Sequence, residues 1–250
     1  MTMSTLDGRT ALVTGARSGI GRAAAVALAE AGADLVLWGH QDNLDEAAAE
    51  VAAHGAKAKT VVADLGDESS VRRAAERVLA ENQIDILVNN AGIIRRGPAL
   101  DLSDSDWSAV LQVNLNSVFL LSRLFGGPMC ERRSGKVINI ASMLSFQGGI
   151  NVTSYTVSKH AVAGLTRALA NEWAPLGVNV NAVAPGYVAT ANTAVLRADP
   201  VREAEIRSRI PAGRWALPHE IAGAVVFLAS PAADYVHGHV LAVDGGWLSR

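Results

Sequence analysis

Short apolar runs alternate with longer amphipathic stretches along the whole chain, and this alternation constrains the fold more than any other feature. The runs are Ala11 to Thr14, Asp34 to Trp38, Ala58 to Val62, Ile84 to Val88, Lys136 to Ile140, Val178 to Val183 and Val240 to Val243. Each is short and rich in Val, Ile and Leu, which predicts fully buried strands of a parallel sheet. The stretches between them carry helical periodicity: Gly19 to Ala31, Asn43 to His54, Glu68 to Glu81, Asp104 to Phe125, Thr153 to Ala174 and Pro218 to Ala229. Asp67 is a candidate cap for one helix, and Ser103 or Asp104 for another. Repeated strand–helix units joined by right-handed crossovers give an α/β, doubly wound sheet of about seven parallel strands with helices on both faces.

No linker or compositional break divides the 250 residues, so one domain over 1–250 is expected. The longest aperiodic segment, about 186–217, mixes Gly186, Pro200, Pro211 and Gly213 with apolar Val188, Val195, Leu196, Ile206, Ile210 and Trp215. A loop of that length in a compact domain is usually functional, and its apolar content predicts a helical lid over a substrate.

Composition excludes several classes. Apolar residues make up 50% and charged residues 18% of the chain, as in a globular protein. A single cysteine, Cys130, rules out an internal disulfide and a cysteine-based zinc site, and it fits a reducing compartment. The net charge of −2 is spread along the chain, which speaks against nucleic acid or a membrane surface as partner. Apolar runs such as Ala222 to Ala229 fall short of a membrane span, and Met1 to Asp7 lacks the order of a secretory leader. A cytoplasmic protein is expected. His54, His160, His219, His237 and His239 show no ligand spacing, and no metal site is expected.

Directly after the first predicted strand comes Thr14-Gly15-Ala16-Arg17-Ser18-Gly19-Ile20-Gly21, at the opening of a helix. Glycines there let backbone N–H groups approach a pyrophosphate, and the helix N-terminus adds partial positive charge. The pattern predicts a Rossmann-type site for a nicotinamide dinucleotide. At the tip of the second strand the chain reads Trp38-Gly39-His40-Gln41, with no acid to accept a ribose hydroxyl. Arg17 and His40 would flank a 2′-phosphate, which leans the cofactor, NAD(P), toward NADP and leaves dual use open.

Tyr155 and Lys159 stand four apart on a predicted helix and so share a face. Ser142 follows a predicted strand at its carboxyl end, where open α/β sheets bind ligands, and Asn114 lies within another predicted helix. A phenol is a slow acid–base at neutral pH, but an ammonium about 5 Å away contributes roughly 3 kcal/mol at an effective dielectric of about 20. That equals about two pK units, enough to bring the phenol near working range. A neighbouring serine hydroxyl can polarise a carbonyl in the same site, and hydride delivery with proton donation completes a ketone reduction.

With these residues in view, the whole chain resembles the short-chain dehydrogenase/reductase family. The motifs that carry the resemblance are the glycine turn Thr14 to Gly21, Asp64-Leu65, Asn89-Asn90-Ala91-Gly92, Asn114, Ser142, Tyr155-Thr-Val-Ser-Lys159 and Pro185-Gly186. The resemblance implies that Tyr155 donates the proton in reduction and accepts it in oxidation. It further implies that Lys159 lowers the phenol pKa and holds the nicotinamide ribose, that Ser142 orients the carbonyl, and that Asn114 supports a proton-relay water. By the same resemblance Gly15, Arg17, Ser18, Gly19, Ile20, Gly21, His40, Asp64, Leu65, Asn90, Ala91, Gly92, Pro185, Gly186 and Val188 hold the cofactor. A homotetramer is also implied, using the Tyr155 helix and the C-terminal segment.

Segments outside the catalytic motif are most similar to the bacterial sugar-acid reductases of that family: Asn89 to Arg96, Ile140 to Ile150, Ala184 to Thr193, Arg209 to Trp215 and Val243 to Trp247. A keto or hydroxy sugar acid needs a cation for its carboxylate and polar partners for its hydroxyls. Arg95, Arg96, Ser142, Gln147, Asn192 and Arg214 are the candidates, each arginine being equally open to a surface salt bridge. Reduction of a 3-oxoacyl thioester is the same-class alternative, and a nucleotide-binding regulator without catalysis is the remote one.

Overall fold

The computed structural model describes residues 5–249. All seven predicted strands lie parallel in one sheet, in the order β3-β2-β1-β4-β5-β6-β7. They are β1 (Thr10–Thr14), β2 (Asp34–Gly39), β3 (Ala58–Val62), β4 (Ile86–Asn89), β5 (Gly135–Ile140), β6 (Val178–Pro185) and β7 (Val240–Val243). The helices are α1 (Gly19–Glu30), α2 (Asp45–Ala53), α3 (Glu68–Glu81), α4 (Asp104–Leu111), α5 (Ser117–Glu131), α6 (Thr153–Trp173), α7 (Ala194–Ala198), α8 (Pro200–Arg209) and α9 (Pro218–Ala229).

Successive side chains along each strand point to opposite faces, so the core divides into two layers. Val13, Leu35, Leu37, Ile86 and Val88 pack with Leu28 of α1 and Ile221, Val225 and Leu228 of α9. Leu12, Val36, Trp38, Leu87 and Val137 pack with Val71 and Val78 of α3 and with Leu121, Phe125 and Met129 of α5. Each such side chain contributes roughly 1.5–3 kcal/mol on leaving water. The predicted caps are present: Asp67 accepts from the Ser69 N–H and Ser103 from the Asp106 N–H.

Two expectations are corrected. The strands are not all fully buried, because β3 and β7 are the sheet edges, and Lys59, Thr60 and Val62 of β3 are exposed. The helix expected to stop at Phe125 runs on to Glu131, through Gly126, Gly127 and Pro128. Gly126 serves packing there, since a Cβ on it would lie 2.5 Å from the Trp173 ring. The helical run Asp104–Glu131 is long and apolar enough by composition to cross a membrane, but a buried core helix meets the same test, and 50% of its most apolar window is buried in the fold.

Strand order reverses between β1 and β4, and a crevice forms beyond their carboxyl ends at such a switch point. The aperiodic 186–217 segment holds α7 and α8. Its base is clasped by the Val188–Ala216 bridge, with Ala189 N–H donating to the Ala216 carbonyl at 2.8 Å and Ala216 N–H to the Tyr187 carbonyl at 2.9 Å.

Candidate active site

The glycine turn is anchored from both neighbouring strands. Gly15 and Ala16 N–H groups donate to the Trp38 carbonyl at 2.8 and 3.3 Å, tying the turn to the end of β2. From β4, Asn90 Nδ2 donates to the Thr14 carbonyl at 2.8 Å, while Thr14 Oγ1 accepts from the Asn90 and Ala91 N–H groups, each at 3.0 Å. Gly15 and Gly19 have φ of +66° and +59°, a left-handed conformation that glycine adopts without strain. A Cβ on Gly21 would lie 2.3 Å from the Gly15 carbonyl oxygen. Ser18 precedes α1 with extended backbone and no side-chain cap bond, and no acid occupies the helix's first turn. The free N–H groups and positive helix end therefore fit a pyrophosphate.

The other cofactor candidates lie around this turn. Arg17 and His40 are exposed on the two segments that the Trp38 carbonyl joins. Asp64 caps its own turn by accepting from Gly66 N–H at 2.8 Å, beside the buried Leu65. At the end of β6, the Gly186 N–H donates to the Val243 carbonyl at 2.9 Å, and a Cβ on Gly186 would lie 2.6 Å from the Asp244 Cα. Only glycine fits that approach, and Val188 beyond it is buried.

Asn114 sits in a single π turn, Gln112–Asn116, that interrupts the predicted helix. Such turns recur at functional sites because the extra residue re-aims a side chain. Asn114 Oδ1 accepts from the Ile93 N–H at 2.8 Å, and its Nδ2 donates to the Ile93 carbonyl at 3.0 Å and to Ser158 Oγ at 3.2 Å. The Ser158 hydroxyl donates to the Tyr155 carbonyl at 2.7 Å. Ser158, inside the Tyr155–Lys159 motif, was not among the sequence candidates.

Ser142 follows β5 and is buried; its Oγ accepts from the Leu144 N–H at 3.1 Å, and its hydroxyl acts on Tyr155 in the direction that lowers the phenol pKa. Lys159 Nζ lies 5.5 Å from the centroid of the Tyr155 ring and donates to the Ile140 carbonyl at 2.6 Å. The distance agrees with the sequence arithmetic, but the charge balance does not. Burial raises the Tyr155 pKa, opposed by the Ser142 hydrogen bond and the Arg96 charge, while burial holds the Lys159 ammonium at about 8. Desolvation thus outweighs the attraction that the spacing alone implied. At neutral pH the chain by itself presents a protonated phenol.

The substrate candidates separate by what already holds them. Arg95 pairs with Asp106 at 3.1 Å. Arg214 is forked onto Glu220 at 2.7 and 2.5 Å, fixing the start of α9. Among the described residues Arg96 donates only to the Asn192 carbonyl, at 3.2 Å, and its charge acts on both Tyr155 and Tyr187. Gln147 is half-buried in the turn after Ser142, and the Asn192 side chain is exposed on the lid. Tyr187, absent from the candidates although it directly follows Pro185-Gly186, stands edge-on between Trp215 and Trp247, at 5.1 and 4.9 Å.

The family described as enoyl-(acyl carrier protein) reductase matches residues 15–248. A 2-dehydro-3-deoxy-D-gluconate 5-dehydrogenase of Bacillus subtilis (strain 168) is 54% identical over 98% of this chain and 96% of its own. A candidate NAD(P)-dependent gluconate 5-dehydrogenase of Beutenbergia cavernae, with NADP bound at low occupancy, is 59% identical with a TM-score of 0.97 over 99% of both chains. A candidate 2-deoxy-D-gluconate 3-dehydrogenase of Agrobacterium tumefaciens with bound NADP is 52% identical, with a TM-score of 0.93 over 99% of both chains.

Proposed function

The chain belongs to the short-chain dehydrogenase/reductase family of NAD(P)-dependent oxidoreductases, and from that premise we propose that it interconverts a keto sugar acid and its hydroxy form, of the 2-dehydro-3-deoxy-D-gluconate 5-dehydrogenase type. One observation carries the reading. Asn114, Ser142, Tyr155 and Lys159 come from a π turn, a strand end and one helix; Asn114 reaches Tyr155 through Ser158 by hydrogen bonds, Lys159 meets the Tyr155 ring, and the Ser142 hydroxyl acts on the Tyr155 phenol, next to the glycine turn. The similarity to named sugar-acid dehydrogenases supports the substrate class.

The dinucleotide, when bound, supplies or receives the hydride. Gly15 to Gly21 would hold its pyrophosphate, Asp64, Leu65 and Asn90 to Gly92 its adenine side, and Pro185, Gly186 and Val188 its nicotinamide. Arg17 and His40 would meet a 2′-phosphate, so we assign NADP as the favoured cofactor. In reduction Tyr155 gives its hydroxyl proton to the carbonyl oxygen, which Ser142 orients; in oxidation the Tyr155 phenolate takes the hydroxyl proton back. Lys159 stabilises that phenolate, and Asn114 steadies Tyr155 through Ser158. Arg96 is the cation best placed for the carboxylate, with Gln147 and Asn192 left for hydroxyls. The 186–217 segment closes over the substrate. The protein so described is a single-domain cytoplasmic enzyme, assembled as a homotetramer through α6 and the C-terminal segment.

The test is kcat/KM for oxidation of 2-dehydro-3-deoxy-D-gluconate, run with NADP and with NAD. A high value with NADP is expected. Negligible turnover with both cofactors would sink the substrate assignment and direct attention to D-gluconate, the substrate class named for the Beutenbergia relative. Tyr155→Phe should keep cofactor affinity near wild type while turnover collapses, and equal turnover would remove Tyr155 from the chemistry.

A further inference from the structure

The lid carries a cation that the site as described leaves unused. Among the lid arginines, Arg202 pairs with Glu205 at 2.9 Å and Arg207 with Glu203 at 3.0 Å, while Arg197 donates to the Thr190 carbonyl at 3.1 Å. Arg209, the last residue of α8, has neither an ion pair nor a hydrogen bond among the described residues. Its guanidinium carbon lies 4.1 Å from the centroid of the Trp247 ring.

Trp247 is itself built in. It is 5% exposed, its Nε1 has no hydrogen-bond partner among the described residues, and its ring meets Tyr187 edge-on at 4.9 Å and 67°. The same apolar cluster takes in Met143, the residue after Ser142, with Ile206 and Ile210 of the lid. A series of contacts therefore joins Arg209 to Trp247 and Trp247 to Tyr187, within the cluster that also holds Met143. Arg96, from the segment after β4, donates to the Asn192 carbonyl and has no other hydrogen bond among the described residues. Burial raises the Tyr187 pKa, and the charges of Arg202, Arg209 and Arg96 oppose that rise. The charges of Arg209 and Arg96 thus act on the same hydroxyl from different elements, and neither has a carboxylate partner among the described residues. Stacking on an indole orients a guanidinium but leaves its in-plane N–H donors unanswered, and a carboxylate matches that fork with two oxygens.

We propose that Arg209, set by Trp247, is a specificity-determining residue that receives the substrate carboxylate together with Arg96, with Tyr187 between the two. This rests on the sugar-acid reading above. The C-terminal segment thereby takes part in substrate selection, because Trp247 holds the lid cation at the angle at which it can meet an anion.

The experiment compares kcat/KM for 2-dehydro-3-deoxy-D-gluconate with that for its uncharged carboxamide, using NADP and the full chain. Wild type should favour the acid. Arg209→Gln should reduce that preference by roughly ten- to a hundredfold, mainly through KM, as expected for a lost hydrogen bond to a charged group. Arg209→Lys, which keeps the charge without the fork, should recover part of the preference, and Trp247→Leu should lose most of it. The dissociation constant for NADP should stay unchanged in all three. A wild type indifferent to the carboxylate, or inactive on both compounds with NADP and with NAD alike, overturns the 2-dehydro-3-deoxy-D-gluconate reading and this assignment with it. A wild type that prefers the acid, beside an Arg209→Gln variant with the same preference, overturns this assignment alone.

Discussion

The side-chain amide of Asn114 and the backbone of Ile93 form a reciprocal pair, with Oδ1 accepting at 2.8 Å and Nδ2 donating at 3.0 Å. The pair fastens the irregular segment that leads out of Asn89-Asn90-Ala91-Gly92 to the π turn of the long helix, and Ser158 extends it to Tyr155. Asn114→Leu would leave both Ile93 groups unpaired in the interior. Each such group costs about 1–3 kcal/mol, so a loss of about 2–4 kcal/mol in urea unfolding is expected. Turnover should fall as well, because the carbonyl that Ser158 holds belongs to Tyr155. A variant with wild-type stability and kcat would show that the pair is incidental.

The glycine turn gives a second expectation, set by space. A Cβ at Gly21 would approach the Gly15 carbonyl oxygen to 2.3 Å and Asn90 Nδ2 to 2.4 Å, so Gly21→Ala must open the turn from β4. Affinity for NADP should drop more than tenfold, with a lower Tm, because the turn shapes both the cradle and the β1–β4 junction. Gly97→Ala is the matched control, since a Cβ there meets nothing within 4 Å. Fluorescence titration with NADP reads both variants, and equal affinities would refute the steric argument.

Why the sheet was legible and parts of the site were not follows from the range of the forces involved. Buried strands announce themselves through runs such as Ile138 to Ile140, and the caps Asp67 and Ser103 act within one helical turn. The glycines of the first turn are similarly local. By contrast, Gly126 looks like a helix stop until Trp173, far along the chain, is seen to occupy the space a Cβ would need. The edge position of β3 depends on strand order, which the chain's own pattern does not carry. The spacing of Tyr155 and Lys159 brings the two side chains together but leaves out the desolvation that dominates once Lys159 is buried and Tyr155 half-buried. The stack of Arg209 on Trp247 joins the lid to the C-terminal segment, and no local pattern signals it.

Among the sequence candidates, Arg96 and Arg214 should separate cleanly by experiment. Arg96 lowers the Tyr155 pKa, and removing its charge must raise it. Oxidation needs the phenolate, so in Arg96→Gln the alkaline rise of kcat should move to higher pH, with KM for the acid increased. Arg214→Gln breaks the fork on Glu220 at an exposed helix start. It should lower Tm slightly and leave both KM and the pH profile in place. A pH–rate series on the two variants checks this, and a shifted profile in Arg214→Gln would put that residue back in the site.

Lys159 offers the last prediction, a trade of stability against chemistry. Burial lowers its ammonium pKa from 10.5 to about 8, so the charged form is disfavoured in the fold relative to the unfolded chain. Because the folded pKa is the lower one, the penalty is fully present below about pH 8 and fades as pH rises toward 10.5. At 1.36 kcal/mol per pK unit the penalty is roughly 3 kcal/mol, offset by the hydrogen bond from Nζ to the Ile140 carbonyl, worth about 1 kcal/mol. Lys159→Met should therefore be more stable than wild type by about 2 kcal/mol at pH 7, a rise in Tm on the order of 5 °C, while turnover is lost. The gain should shrink across pH 8 to 10 in a thermal-unfolding series on the cofactor-free protein. A Met variant less stable than wild type at pH 7 would mean that the buried ammonium is held by partners stronger than the Ile140 carbonyl.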